Sequence, residues 1–103
     1  MSGQYNSNRI HLADELTQKS VTVTTSATEL FTGGSRNAQR QLIRIFNDGT
    51  RACFIGPAGV AASGSAKGEE LLKKQSMEIV IGDVGLFAIT SSSTTTVIVT
   101  ELA

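Results

Sequence analysis

Residues 40–56 read RQLIRIFNDGTRACFIG, and the reading of this stretch decides the fold. Two runs rich in Ile and Phe flank Asn47, Asp48 and Gly49. Asp-Gly is a strong short-range turn signal, because both central positions of the tightest hairpin turns need φ > 0. The two flanks are therefore expected to pair as one β-hairpin. Side chains alternate faces along a strand with period two. Ile43, Ile45 and Asn47 then share the core face, while Arg40, Leu42, Arg44 and Phe46 point the other way. On the return, Cys53 and Ile55 share a face and Ala52 and Phe54 take the opposite one. Phe46 and Phe54 make the outer side partly apolar, which hints that something covers it.

Toward the N-terminus, Val21-Thr22-Val23-Thr24-Thr25 alternates Val with Thr and suits a strand with one buried face. The body of the domain is placed from Ser20 onward. Leu30 and Phe31 form a short apolar step, and Thr32-Gly33-Gly34-Ser35 breaks the chain before the central stretch. Residues 1–19 are polar and unpatterned except for Ile10, Leu12, Ala13 and Leu16. That spacing lets a helical turn or two bury a narrow stripe, with Asn8 as its cap. This segment reads as an arm.

Toward the C-terminus, Gly56-Pro57-Ala58-Gly59 is a turn, Val60 to Ala62 is extended, and Ser63 to Gly68 is a loop of small residues. Glu69 to Gln75 has good helix formers but is only a turn or two long, so it reads as a bend carrying charge. Met77, Ile79 and Ile81 alternate with Glu78 and Val80 as a strand. Gly82-Asp83-Val84-Gly85 turns the chain, Leu86 to Thr90 returns as a strand, and Ser91 to Thr95 is a polar turn. Thr96 to Glu101 closes the domain, with Val97 and Val99 on one face and Ile98 on the other. Many short strands, Gly-rich turns and no long helix predict an all-β fold: a small antiparallel β-sandwich, jelly-roll-like, of about 6–8 strands over residues 20–103 behind the arm of residues 1–19.

At 103 residues the chain is one domain with a modest core, small enough for neighbouring subunits to matter to its stability. Nine Lys and Arg balance nine Asp and Glu, so no bulk field steers the chain onto nucleic acid or an anionic membrane. No segment approaches the about 18 apolar residues of a membrane span, and the start of the chain lacks a basic stretch followed by an apolar one. The chain is expected to be made in the cytoplasm. Cys53 has no intrachain partner and lies in an apolar run, where a thiol behaves as a small hydrophobe.

A catalytic reading lacks its parts. His11 has Asp14 and Glu15 nearby but no second His or Cys to complete a metal site, and it is far along the chain from Cys53. Gly56-Pro57-Ala58-Gly59 and Gly64-Ser65-Ala66-Lys67-Gly68 do not match the spacing that cradles phosphate. No enzyme activity, metal or cofactor is expected. Arg36, Arg40, Arg44 and Arg51 are a local excess of positive charge, and Arg40 with Arg44 on one face can grip phosphate or a partner's carboxylates. No aromatic platform supports nucleic-acid stacking, and the absence of Trp argues against a sugar-stacking surface.

One layout runs through residues 21–102. It comprises Val21-Thr22-Val23 with Ala27 and Leu30, Arg40-x-x-Ile43-x-Ile45-x-Asn47 with the Asp48-Gly49 turn, and Phe54-Ile55-Gly56 followed by Val60. Gly68 with Leu71 or Leu72, Met77-x-Ile79, Leu86-Phe87-Ala88-Ile89 and Val97-x-Val99-x-Glu101-Leu102 complete it. The order and spacing resemble those of the small β-sandwich proteins of tailed-bacteriophage virions, which serve as capsid decoration, head-fibre or tail accessory proteins. The resemblance implies a non-enzymatic virion structural protein, foremost a capsid decoration (cement) protein on the head lattice. Its alternative is a tail or fibre accessory module that binds the host surface through loops such as Gly59 to Lys67 and Ser91 to Thr95. The implied partners are a major capsid or tail protein and further copies of the chain, with a trimer favoured. Candidate interface residues are Ile10, Leu12 and Leu16 in the arm, and Arg40, Arg44, Phe46 and Phe54 on the outer sheet face. The chain departs from the layout at Lys73-Lys74-Gln75, where such proteins often carry a Gly turn.

Overall fold

A computed structural model describes residues 15–103. Its strands are β1 (Leu16–Val23), β2 (Thr28–Glu29), β3 (Leu42–Asn47), β4 (Cys53–Gly56), β5 (Glu69–Leu71), β6 (Ser76–Val80), β7 (Phe87–Ile89) and β8 (Thr95–Leu102). They form two antiparallel sheets, ordered β1-β8-β3-β6 and β2-β7-β4-β5. The pairs β1 with β8, β2 with β7, β3 with β6 and β4 with β5 nest inside one another along the chain. The β3–β8 and β4–β7 pairings then sew the ribbon into two layers. This is the eight-stranded double-sheet jelly roll, so the all-β sandwich expected from the sequence is the fold.

The core lies between the layers. Val23, Ile43, Ile45, Val97 and Val99 face Leu30, Cys53, Ile55, Leu71, Leu86 and Ala88 across it. Each fully buried Val, Leu or Ile contributes about 1.5–3 kcal/mol relative to exposure. Strand β8 alternates buried and half-buried residues along its whole length, with Val97 and Val99 inward and Ile98 outward.

The expected hairpin does not form. Strands β3 and β4 belong to different sheets, and residues 48–52 arch between them. In a hairpin the rows Ile43/Ile45 and Cys53/Ile55 would lie side by side on one face, still in need of a cover. In the arch they face each other and cover themselves. Asn47 holds this arch. Its Nδ2 donates to the carbonyls of Arg51 at 2.7 Å and Leu71 at 3.1 Å, while its Oδ1 accepts from the Gly49 amide at 3.1 Å and the Thr95 hydroxyl at 2.8 Å.

The turn chemistry differs from expectation in the same place. Among the described residues positive φ belongs to Gly59, Gly64, Lys74 and Ser93, and neither Asp48 nor Gly49 has it. Gly49 is needed for close approach instead, since a Cβ there would meet the Thr95 side chain and stand 2.8 Å from the Thr96 amide nitrogen.

Two boundaries also move. Strand β1 begins at Leu16, not Ser20, because the ladder with β8 continues from Val23 to Leu16 opposite Leu102. The segment read as a charged bend begins with a strand, β5, because Leu71 is buried opposite Cys53. The corner that follows puts Lys74 at φ 63°, and its Nζ donates to the Asp48 carbonyl at 2.8 Å.

Candidate interaction surface

The register of the first sheet sorts its outward side chains into rows that cross all four strands. Leu16, Leu102, Leu42 and Val80 stand in one row. The next holds Gln18, Thr100, Arg44 and Glu78, and the third Ser20, Ile98, Phe46 and Ser76. These rows alternate with the rows that fill the core, as period two requires. Leu16 is 63% and Val80 84% exposed, while Leu42, Leu102, Phe46 and Ile98 are half-buried. Gln18, Arg44, Phe46, Ile98 and Thr100 line a shallow groove of about 290 Å³. Arg44 and Glu78 are both well exposed and 3.9 Å apart, a loose pair of the kind that contributes about 0–1 kcal/mol.

Of the residues named from sequence, Arg44, Phe46 and Leu16 share this face. Ile10 and Leu12 lie outside the described residues, as does His11.

Arg40 is not on the face. It is 2% exposed and precedes β3, so the strand's period does not govern it. Its Nη1 lies 2.7 Å from Glu101 Oε2, and its remaining nitrogens donate inward, Nε to the Gly82 carbonyl at 2.9 Å and Nη2 to the Val84 carbonyl. Glu101 accepts in addition from the Thr32 amide at 3.0 Å, the Thr32 hydroxyl at 2.7 Å and the Asn37 amide at 3.2 Å. Burial pushes the Glu101 carboxyl up, but these donors together with Arg40 outweigh it and hold the group below the ordinary glutamate range. A guanidinium saturated in this way cannot grip a partner. Sequence reasoning missed Glu101 as its counter-charge, although a carboxylate in step with Val97 and Val99 was a signal that a buried cation must meet it.

Phe54 is also removed from the proposed surface. It sits on the other sheet, 7% exposed, with the Lys67 ammonium 5.3 Å from its ring centroid. Phe46 and Phe54 therefore do not share a face. Arg36 is engaged by Glu29 at 2.7 Å and Asp83 at 2.9 Å. Burial pushes the Cys53 thiol up to about 11, which suits an inert core residue. Among the described residues no cluster of three or more His, Cys, Asp or Glu is placed to hold a metal ion.

What this arrangement can do chemically is adhere: an apolar row and the neighbouring Phe46 and Ile98 flank a polar row whose two charges are opposite. No protein-family model, no curated protein and no solved structure matches this chain.

Proposed function

We propose that this chain is a non-enzymatic structural protein of a tailed-bacteriophage virion, a capsid decoration protein that docks on the head lattice. The observation that carries the reading is the contrast between the buried charges of the sandwich and the apolar outer face of its first sheet. The buried charges, Arg40 and Glu101, are consumed by each other and by backbone groups, whereas an open face of Leu16, Leu42, Phe46, Val80 and Leu102 is left to meet something else. The residue layout that resembles virion sandwich proteins supports the same reading.

The mechanism is adhesion. A standard specific interface buries about 1,600 Å² in total, and repetition over a lattice multiplies the contribution of each contact. The N-terminal segment adds a second docking element, because Ile10 and Leu12 can add as a strand to a neighbour or lie in a groove on it. Assembled in the host cytoplasm, the copies then belong to the virion.

Imaging of intact particles tests this. Density for the sandwich at regular positions on the head lattice is the expected result. Density confined to the tail, together with binding of the isolated chain to a glycan array, would replace it with the host-surface reading. Removing residues 1–14 leaves β1 whole and should lower occupancy on particles.

A further inference from the structure

We infer that the outer face of the β1-β8-β3-β6 sheet joins two copies of this chain, face to face, about a two-fold axis running along the strands. The inference rests on the adhesive reading above and assigns that face to a second copy, so that the dimer and not the bare face meets the lattice.

The sandwich does not need these side chains. Its core is filled by the opposite faces of the same strands, yet each of the four strands places a branched aliphatic residue in one outward row: Leu16, Leu102, Leu42 and Val80. The solvated side of an antiparallel sheet is ordinarily polar. The outward side of the second sheet is handled differently, since its Phe54 is buried under Lys67 of the same chain.

Symmetry selects a second copy as the cover. A two-fold axis along the strands keeps every row at its own height and reverses the strand order. Leu16 then faces Val80 of the second copy, Leu102 faces Leu42, and Phe46 faces Ile98, so apolar meets apolar throughout. Arg44 faces Thr100 and Glu78 faces Gln18, so no like charges are opposed. An axis across the strands through the polar row would set Arg44 against Arg44, which like-charge repulsion disfavours. The three rows carry one positive and one negative side chain, so the face meets its own copy without net repulsion. Such a contact is isologous and closes at two, in place of the trimer that the resemblance implies.

The β1 edge of the sheet is a poorer alternative. Strand β1 is an edge, but Lys19 points from it toward the core side and reaches to 5.6 Å from the Phe31 ring centroid. An inward-pointing charge on an edge strand is a device that discourages a further strand from adding.

Size sets the strength. Four strands about 4.8 Å apart and three rows about 6.8 Å apart give a face of roughly 400 Å² in plan, hence roughly 1,000 Å² buried over both copies. That is the range of reversible contacts, below about 1,200 Å². The dimer forms at micromolar concentration and tightens where a lattice concentrates the copies.

Sedimentation velocity of the full chain from about 1 to 300 μM is the test, with a monomer–dimer equilibrium expected. Val80→Glu weakens it by about tenfold or more, and Leu16→Glu does the same. Val84→Glu, exposed on the turn after β6, leaves it unchanged. Combining Leu16→Lys with Val80→Glu in one chain restores the dimer, because the two introduced charges face each other only across the two-fold axis. A chain that stays monomeric, a trimer, or a dimer indifferent to Val80→Glu overturns the inference. So does a dimer that appears only when residues 1–14 are removed, since that segment would then be the cover. Occupancy on particles is a separate readout: a monomer that still decorates heads sinks the dimer alone, and a dimer that never reaches a particle sinks the decoration reading alone.

Discussion

Arg40 and Glu101 stand 2.7 Å apart, Nη1 to Oε2, with neither side chain exposed to water. This pair is also the junction of the backbone around it. Between them the two side chains serve the amides of Thr32 and Asn37 and the carbonyls of Leu30, Gly82 and Val84. Removing one charge leaves the other buried without a partner, which typically costs about 3–5 kcal/mol. Arg40→Met is expected to lose about 4 kcal/mol in urea unfolding. Many buried pairs can be replaced together by apolar residues at little cost, but Arg40→Met combined with Glu101→Leu is not expected to recover here, because those backbone groups lose their partners in the double variant as well.

The same carboxylate makes stability depend on acid. The Glu101 carboxyl is held below its ordinary range in the folded chain, against the upward push of burial, so the unfolded chain binds the proton more readily. Its stabilising contribution is complete above the unfolded value of about 4.3 and is lost as pH falls through the lower folded value. Urea midpoints followed downward from about pH 6 should fall in the acid range more steeply for the wild type than for Glu101→Gln, which cannot titrate. Equal slopes would show that this carboxyl does not govern acid unfolding.

Asn47 is expected to tolerate no simple replacement. Asn47→Ala strips the Arg51 and Leu71 carbonyls of their donor and the Gly49 amide and Thr95 hydroxyl of their acceptor. A loss of about 3 kcal/mol follows at about 1–3 kcal/mol for each buried group left unsatisfied, with some relaxation. Asn47→Asp keeps the acceptor but loses both donations, and it should fall short of wild type in the same thermal or urea measurement.

Two glycines should respond in opposite directions to one added methyl. At Gly68 a Cβ would sit 2.6 Å from the Ile55 carbonyl oxygen, so Gly68→Ala forces the backbone apart and should cost about 2 kcal/mol. At Gly34 a Cβ meets nothing within 4 Å, so Gly34→Ala is expected to be neutral or to stabilise by up to about 1 kcal/mol through the unfolded chain. Paired thermal melts read both.

These residues mark how far the sequence was legible. The inward side of β3 was readable as Ile43, Ile45 and Asn47, and that of β8 as Val97 and Val99, because burial alternates with a local period that the chain displays directly. Arg40 was misplaced because it precedes the strand whose period was extended to it. Glu69 to Leu71 has good helix formers, yet it pairs with β4 because Leu71 completes the core. The outer face was half visible: Leu42, Arg44 and Phe46 were in view on one strand and Leu16 was singled out in the arm, whereas the row of Leu16, Leu102, Leu42 and Val80 forms only once four strands distant in sequence are in register.

By itself, then, the amino-acid sequence determined an all-strand domain and which side of its longer strands turns inward, because both follow from side-chain size and polarity at period two. Only the tertiary structure decided which strand lies beside which. Strands are joined by backbone amides and carbonyls that nearly every residue carries alike, so a hairpin and an arch satisfy the local pattern of residues 40–56 equally well. The choice falls to the arrangement that covers Ile43 and Ile45 with Cys53 and Ile55 while giving Asn47, Arg40 and Glu101 their partners, and that balance exists only in the assembled sandwich.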